Sequence, residues 1–201
     1  QMCIRDRVDS LSLEAKETNS VNTIYSVEGK LIGHNTDIAG FELSIRHCKY
    51  NANKKKVLII GAGGVVPSII VALKRMNVEK IFIKNRTKNN ALDLKKKFSE
   101  VNLIDWNETI DVDMVVNATS IGLKKGEKLD IDLKKFGENK FFYDVIYNPK
   151  ETNFLNEARK MGNLTENGKM MFIYQAHQAF SVWHKIFPVI DDEVIKIVEN
   201  D

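Results

Sequence analysis

The chain has 201 residues, 43% hydrophobic and 28% charged, with a formal net charge of +3. Such a composition excludes a disordered chain, and the length suits one large domain or two small ones. The basic excess is too small to argue for nucleic acid, no aromatic residues interleave with a basic stripe, and no apolar run is long enough to cross a bilayer, so neither nucleic acid nor membrane is expected as a partner.

Residues 1–7, "QMCIRDR", carry no period, and residues 11–16 are weakly helical. Residues 21–27 and 30–34 read as two short strands turned at Glu28 and Gly29. The stretch "GHNTDIAGF" follows. Asp37 is placed to cap a helix whose Ile38, Phe41, Ile45 and Cys48 recur every three or four residues. Residues 50–56, "YNANKKK", read as a polar linker. Beyond it, "VLIIGAGG" opens with the short apolar run of a fully buried parallel strand. A helix over 65–76, a strand over 80–84, a helix over 89–99 and a short strand over 102–104 come next. "MVVNAT" and "FFYDVIY" supply two more buried strands. Alternation at this spacing is the pattern of βαβ units around a parallel sheet.

Residues 152–161 form a helix stopped at Gly162 and Asn163. Ile173, Ala176, Phe180, Trp183 and Phe187 then step along one long helix, which places Phe180, Trp183 and Phe187 in the core. Pro188 ends it, and residues 191–199 make a last helix. The densest basic runs, Lys54-Lys55-Lys56 and Lys95-Lys96-Lys97, read as a solvated turn and a solvated helix face. Cys3 and Cys48, far apart and without a signal peptide, fit a reducing cytoplasm. His177 and His184 share a helix face and show no metal spacing with cysteine, so no metal site is expected.

"GAGGVV" lies directly between an apolar strand and a helix. Gly61 suits a tight turn, Gly63 lets backbone amides approach a pyrophosphate, and the helix N-terminus faces the anion. The third fingerprint position is Val66 rather than a small residue. Pro67 belongs in a first helical turn, which places the helix start near Val65. About twenty residues on, an NAD site places an acid for the ribose hydroxyl. This chain has Lys84, Asn85, Arg86, Thr87 and Lys88 instead. Arg86 suits a 2′-phosphate, Asn85 and Thr87 offer neutral hydrogen bonds, and Lys84 and Lys88 add positive potential, so the expected cofactor is NADP (NADPH). "NATSIG" places small polar residues at another strand's carboxyl end, where open α/β sheets bind ligands.

In order along the chain, "VNTI", "GHNTDIAGF", "GAGG", "NRT", "NATSIG", "YDVIYNPKETNFLNEARKMG" and "NGKMMFIYQAHQAF" resemble the shikimate dehydrogenase family from about Val8 onward. The resemblance implies reversible NADPH-dependent reduction of 3-dehydroshikimate to shikimate on the way to chorismate and the aromatic amino acids. It implies an α/β fold: a Rossmann-like parallel-sheet domain over 54–165, a remnant of an α/β substrate domain over 1–50, and C-terminal helices over 166–201 that complete the latter. Carried over by motif, Asn22, Thr36, Asp37, Tyr147 and Gln175 contact the substrate. Gly61, Ala62, Gly63, Gly64, Val65, Asn85, Arg86, Thr87, Lys88, Thr119 and Met171 bind the cofactor, with Val145 and Gly168 near the nicotinamide. A polyhydroxylated ring carboxylate needs several short polar groups, each fixing one hydroxyl.

Reducing a ketone also needs a proton donor at the oxygen. In the family a lysine in a "PHK"-like segment does this beside the aspartate matched here by Asp37. No such segment occurs in this sequence, and Lys16 falls past its expected place. The expectation is therefore an N-terminally truncated chain, with residues 1–7 an unrelated leader and its hairpin edges exposed, that binds NADPH but turns over poorly. The alternatives are a quinate/shikimate dehydrogenase, for which an acid in place of Arg86 would speak, and a non-catalytic NADP-binding module. The expected setting is cytoplasmic, with a homodimer as a possible assembly.

Overall fold

Val57, Leu58, Ile59 and Ile60 are all fully buried, because successive side chains of a strand point to opposite faces and both faces of this strand are covered. Val57 and Ile59 join one apolar cluster with Ile38, Phe41, Ile69 and Tyr143. Leu58 and Ile60 join the other with Phe136, Phe142, Phe154 and Leu155. The sheet between them sets the architecture of the computed structural model, which describes residues 7–200. The expectation for a leader over 1–7 therefore falls, but for its last residue, outside the described residues, as does Cys3.

The chain opens with β1 (Ser10–Leu11), α1 (Leu13–Thr18), β2 (Thr23–Val27), β3 (Lys30–His34) and α2 (Asp37–His47). Next come β4 (Lys56–Ile60), α3 (Val66–Arg75), β5 (Lys80–Lys84), α4 (Lys88–Lys97), β6 (Asn102–Leu103), β7 (Met114–Asn117) and β8 (Phe141–Asp144). It closes with α5 (Asn153–Lys160), β9 (Leu164–Glu166), α6 (Lys169–His184) and α7 (Asp192–Asn200). The large sheet runs β6-β5-β4-β7-β8-β9, parallel throughout. Relative to its own first strand this is the order 3-2-1-4-5-6 of a doubly wound dinucleotide-binding sheet. The Rossmann-like reading holds.

The small sheet runs β1-β3-β2. β2 and β3 form the expected hairpin, with Glu28 at φ 51° and Gly29 at φ 79° making the turn. Its edges are less open than the sequence implied. β1 pairs with β3 in parallel, and the Trp183 indole donates to the Ile24 carbonyl of β2 at 2.8 Å. β1 and β9 were both missed, being too short to show a period.

Three further expectations are corrected. Residues 50–56 are not a loose linker: Tyr50 stacks on Phe141 with ring centroids 4.4 Å apart, Ala52 is buried, and Lys56 already belongs to β4. The lysine runs are not merely solvated. Lys55 pairs with Asp113 at 3.1 Å, Lys95 Nζ donates to the Ser99 and Val101 carbonyls at 2.6 and 2.5 Å, and Lys97 donates to the Thr18 carbonyl at the end of α1. The tail helix stops at His184, where Lys185 turns left-handed at φ 59°. Phe180, Trp183 and Phe187 are exposed rather than core, Phe187 by 78%.

The buried face of α6 is that of Met170, Met171, Ile173 and Ala179. The reason is Gly40 on α2. A Cβ there would lie 2.9 Å from both Gln175 Cβ and the Met171 carbonyl. Two helices approach this closely only where one lacks a side chain, so α6 turns its Met171–Gln175 side toward α2. Gly40→Ala should force the helices apart and destabilise the fold by about 1–3 kcal/mol, read as a fall in the urea midpoint with an unchanged slope.

Candidate active site

The three polar residues at the start of α2, Asn35, Thr36 and Asp37, divide their work. Asn35, not Asp37, caps the helix: its Oδ1 accepts from the Asp37 and Ile38 amides at 3.1 and 3.3 Å. The same oxygen accepts from Ser68 Oγ on α3 at 3.2 Å, tying the start of α2 to the first helix of the large sheet. Asp37 is the first helical residue, so its carboxylate is released from capping. Oδ1 of Asp37 accepts from Asn22 Nδ2 at 2.9 Å. Asn22 Oδ1 in turn accepts from the Thr36 amide at 3.0 Å and faces the Thr36 hydroxyl at 3.3 Å. That hydroxyl, fully buried, lies 3.4 Å from Gln175 Oε1 on α6. Gln175 is itself oriented by donating to the Phe172 carbonyl at 3.0 Å. Four expected substrate residues, Asn22, Thr36, Asp37 and Gln175, thus form one hydrogen-bonded chain from three distant parts of the sequence. Burial raises the Asp37 carboxyl above its ordinary value of 3.8, while the Asn22 bond pulls it down.

The fifth, Tyr147, stands apart. Its exposed ring stacks on Phe172 with centroids 4.6 Å apart, at a hollow of about 200 Å³ also lined by Asn148, Asn167, Lys169 and Val198.

Gly61 sits at φ 117°, and a Cβ there would come within 2.7 Å of the Ala118 carbonyl. The glycine loop after β4 therefore lies against the "NATSIG" loop after β7, at the point where the strand order reverses. Ligands of open α/β sheets bind in that crevice. Around Gly64 there is open space, and no side chain caps α3, whose Pro67 occupies the first turn. The Val66 and Ser68 amides donate to the Gly63 and Val65 carbonyls and Pro67 has none, so an anion here would meet the amides of the glycine loop ahead of Val66, at the positive end of the helix. Ala62 and Val65 are half-buried here while Gly63 and Gly64 are exposed.

Asn85, Arg86, Thr87 and Thr119 line one cavity of about 300 Å³. Asn85 Nδ2 is spent on the Thr87 carbonyl at 2.7 Å and shapes the turn. Arg86 and Lys88 are exposed, and the first turn of α4 carries no acid. Lys84 is a correction. It is almost wholly buried and donates to the Glu108 carbonyl, and burial depresses its ammonium. It does not add to the potential over the loop. Val145 and Gly168 meet directly, since a Cβ on Gly168 would lie 2.0 Å from the Val145 carbonyl. Met171 is drawn into the apolar cluster.

A buried network missed in the sequence supports the strand ends. Asp144, fully buried, accepts from Asn117 Nδ2 at 3.1 Å, from the Ile146 amide at 3.0 Å and from Thr152 Oγ1 at 2.7 Å. Asn117 Oδ1 accepts from Thr119 Oγ1 at 2.8 Å. A lone Asp ending an apolar strand was the available signal. For Asn35, the signal was a polar side chain two residues before the helix.

Sheet order, glycine crevice and a basic turn in place of an acid define a dinucleotide-binding oxidoreductase fold with a polar cluster beside it. The family model described as "Shikimate / quinate 5-dehydrogenase" matches residues 42–150. "Shikimate dehydrogenase (NADP(+))" of Pelagibacter ubique (strain HTCC1062) is 56% identical over 192 residues, covering 96% of this chain and 72% of that protein. The protein of the same name from Caldicellulosiruptor saccharolyticus is 34% identical over 200 residues, with 96% and 72% covered. The structure of shikimate 5-dehydrogenase from Thermus thermophilus in complex with NADP(H) and shikimate superposes with a TM-score of 0.86 at 29% identity, covering 97% of this chain and 73% of that one. The chain belongs to the shikimate/quinate 5-dehydrogenase family.

Asn35→Ala should cost about 1–2 kcal/mol, because it removes the helix cap and the Ser68 bond together, whereas Asp37→Asn should leave thermal stability nearly unchanged. For Asp37, carboxyl NMR should give a titration midpoint above 3.8, rising further in Asn22→Ala. The folded state favours the protonated acid, so this group's contribution is present at low pH and is lost as pH climbs through the folded pKa.

Proposed function

We propose that the protein is an NADP-dependent shikimate dehydrogenase, reducing 3-dehydroshikimate reversibly to shikimate. The reading rests above all on the Asn22–Asp37–Thr36–Gln175 chain. Short polar side chains from the hairpin, α2 and α6 converge there, as a ring bearing several hydroxyls requires. Residues 7–50 and 166–200 would form the substrate side and residues 54–165 the cofactor side, with the cleft between them.

Bound NADPH supplies a hydride to the carbonyl carbon. The open glycine crevice beside Ala118 fits the pyrophosphate, and Arg86 with the acid-free start of α4 fits a 2′-phosphate. Val145 and Gly168 bring backbone close together at the far end of the crevice, where a flat nicotinamide ring would lie. Asn22 and Gln175 orient ring hydroxyls. Asp37, released from capping and turned toward Asn22, is placed to hold a proton beside the substrate's reacting oxygen, and burial favours its protonated form. A quinate-type NAD enzyme is less well supported, since Arg86 occupies the place where an acid would hold a ribose hydroxyl. Free Cys48 and the use of NADPH suit a cytoplasmic setting, and no described helix is long and apolar enough to cross a membrane.

Calorimetric titration of shikimate into the NADP-loaded protein tests this. Binding is expected, weakened about tenfold or more in Asp37→Asn and in Gln175→Ala, where a substrate hydroxyl loses its hydrogen-bond partner. NADP binding without any shikimate binding would favour the non-catalytic module instead.

A further inference from the structure

The cavity holding Asn85, Arg86 and Thr87 has a second wall that the cofactor motif does not include. Trp106, in the loop after β6, and Lys128, in the loop before Leu133, line the same 300 Å³ space. Trp106 is half-buried and packs against the Leu58–Phe142 cluster, so its indole is braced from behind while it fronts the cavity. Lys128 pairs with Glu157 on α5 at 2.6 Å. The Lys128 side chain is exposed and that of Glu157 about half so, and a pair this open to solvent is worth little. Lys128 is thus available to a stronger anion. The lining holds two cations, Arg86 and Lys128, and a single acid, Asp130.

We infer that Trp106 and Lys128 complete a clamp for a 2′-phosphorylated adenosine, the indole stacking on the base and the ammonium sharing the phosphate with Arg86. The inference rests on the NADP reading above and adds two residues to it. A planar indole with one face braced offers a rigid stacking platform at little entropic cost. A phosphate dianion flanked by two cations is held more selectively than by one. Asp130 would suit a free ribose hydroxyl, but in this cavity it is outnumbered, so the balance favours the phosphorylated sugar.

The test uses adenosine 2′,5′-bisphosphate and adenosine 5′-monophosphate, fragments that carry the adenosine end without the nicotinamide. Titrated into the intact protein, the bisphosphate should quench tryptophan emission and bind more tightly than the monophosphate. The quench should vanish in Trp106→Phe and persist in Trp183→Phe. Lys128→Ala should cut the preference for the bisphosphate about fivefold, in line with a partly solvated charge contact. It should leave monophosphate affinity unchanged, and Lys128→Arg should restore the preference. A full preference in Lys128→Ala, or a quench surviving Trp106→Phe, overturns the clamp while leaving the Arg86 reading intact. If the unmodified protein does not distinguish the two ligands, the NADP reading falls and the clamp with it.

Discussion

How near α2 comes to α6 is set by one missing side chain, at Gly40, and the candidate site depends on that approach. With a Cβ at Gly40 the two helices would collide at Gln175 and the Met171 carbonyl. Without it, Gln175 comes to 3.4 Å from the Thr36 hydroxyl, and α6 joins the polar chain that begins at Asn22. Packing and recognition are here one constraint, because the helix face that seals against α2 also carries the polar group that reaches the site.

A second constraint is the closeness of backbone to backbone at the strand ends. Gly61 against Ala118 and Gly168 against Val145 are both too close for any side chain. The first pair lies at the reversal of strand order and the second two strands away, after β8. Asp144 stiffens the region between them. Its carboxyl accepts from one strand neighbour, one loop amide and the Thr152 cap of α5, which spreads the cost of burying a carboxyl over three hydrogen bonds. The loops that carry Thr119 and Val145 therefore leave the sheet from a fixed frame, which a cofactor needs if its ring is to meet a substrate at a defined distance.

Where the chain enters α2, three similar residues hold three different tasks. Asn35 is buried and structural, Thr36 is buried and bridges two elements, and Asp37 is turned toward Asn22. Cap formation satisfies amides that would otherwise be orphaned. Because Asn35 supplies it, the Asp37 carboxyl can be directed to another purpose, and its partial burial raises its proton affinity.

Much of this was determined by the sequence alone. The run Val57 to Ile60 could only be a strand covered on both faces, Gly61 and Gly63 mark the crevice, and the absence of an acid near Arg86 bears on the cofactor. These features are local, in that each depends on a few consecutive residues and on periods of two or 3.6. The tertiary structure decided what local patterns cannot express. The apolar spacing from Ile173 to Trp183 correctly indicated a helix and placed Ile173 inside, but it wrongly put Phe180 and Trp183 on the packed face, which depends on a glycine more than a hundred residues away. Lys84 looked like surface charge until the Glu108 carbonyl took it inward. The two-residue strand β1 exists only because β3 lies beside it. The division of work among Asn35, Thr36 and Asp37 likewise required Ser68, Gln175 and Asn22, whose positions are set by long-range packing and leave no period in the sequence.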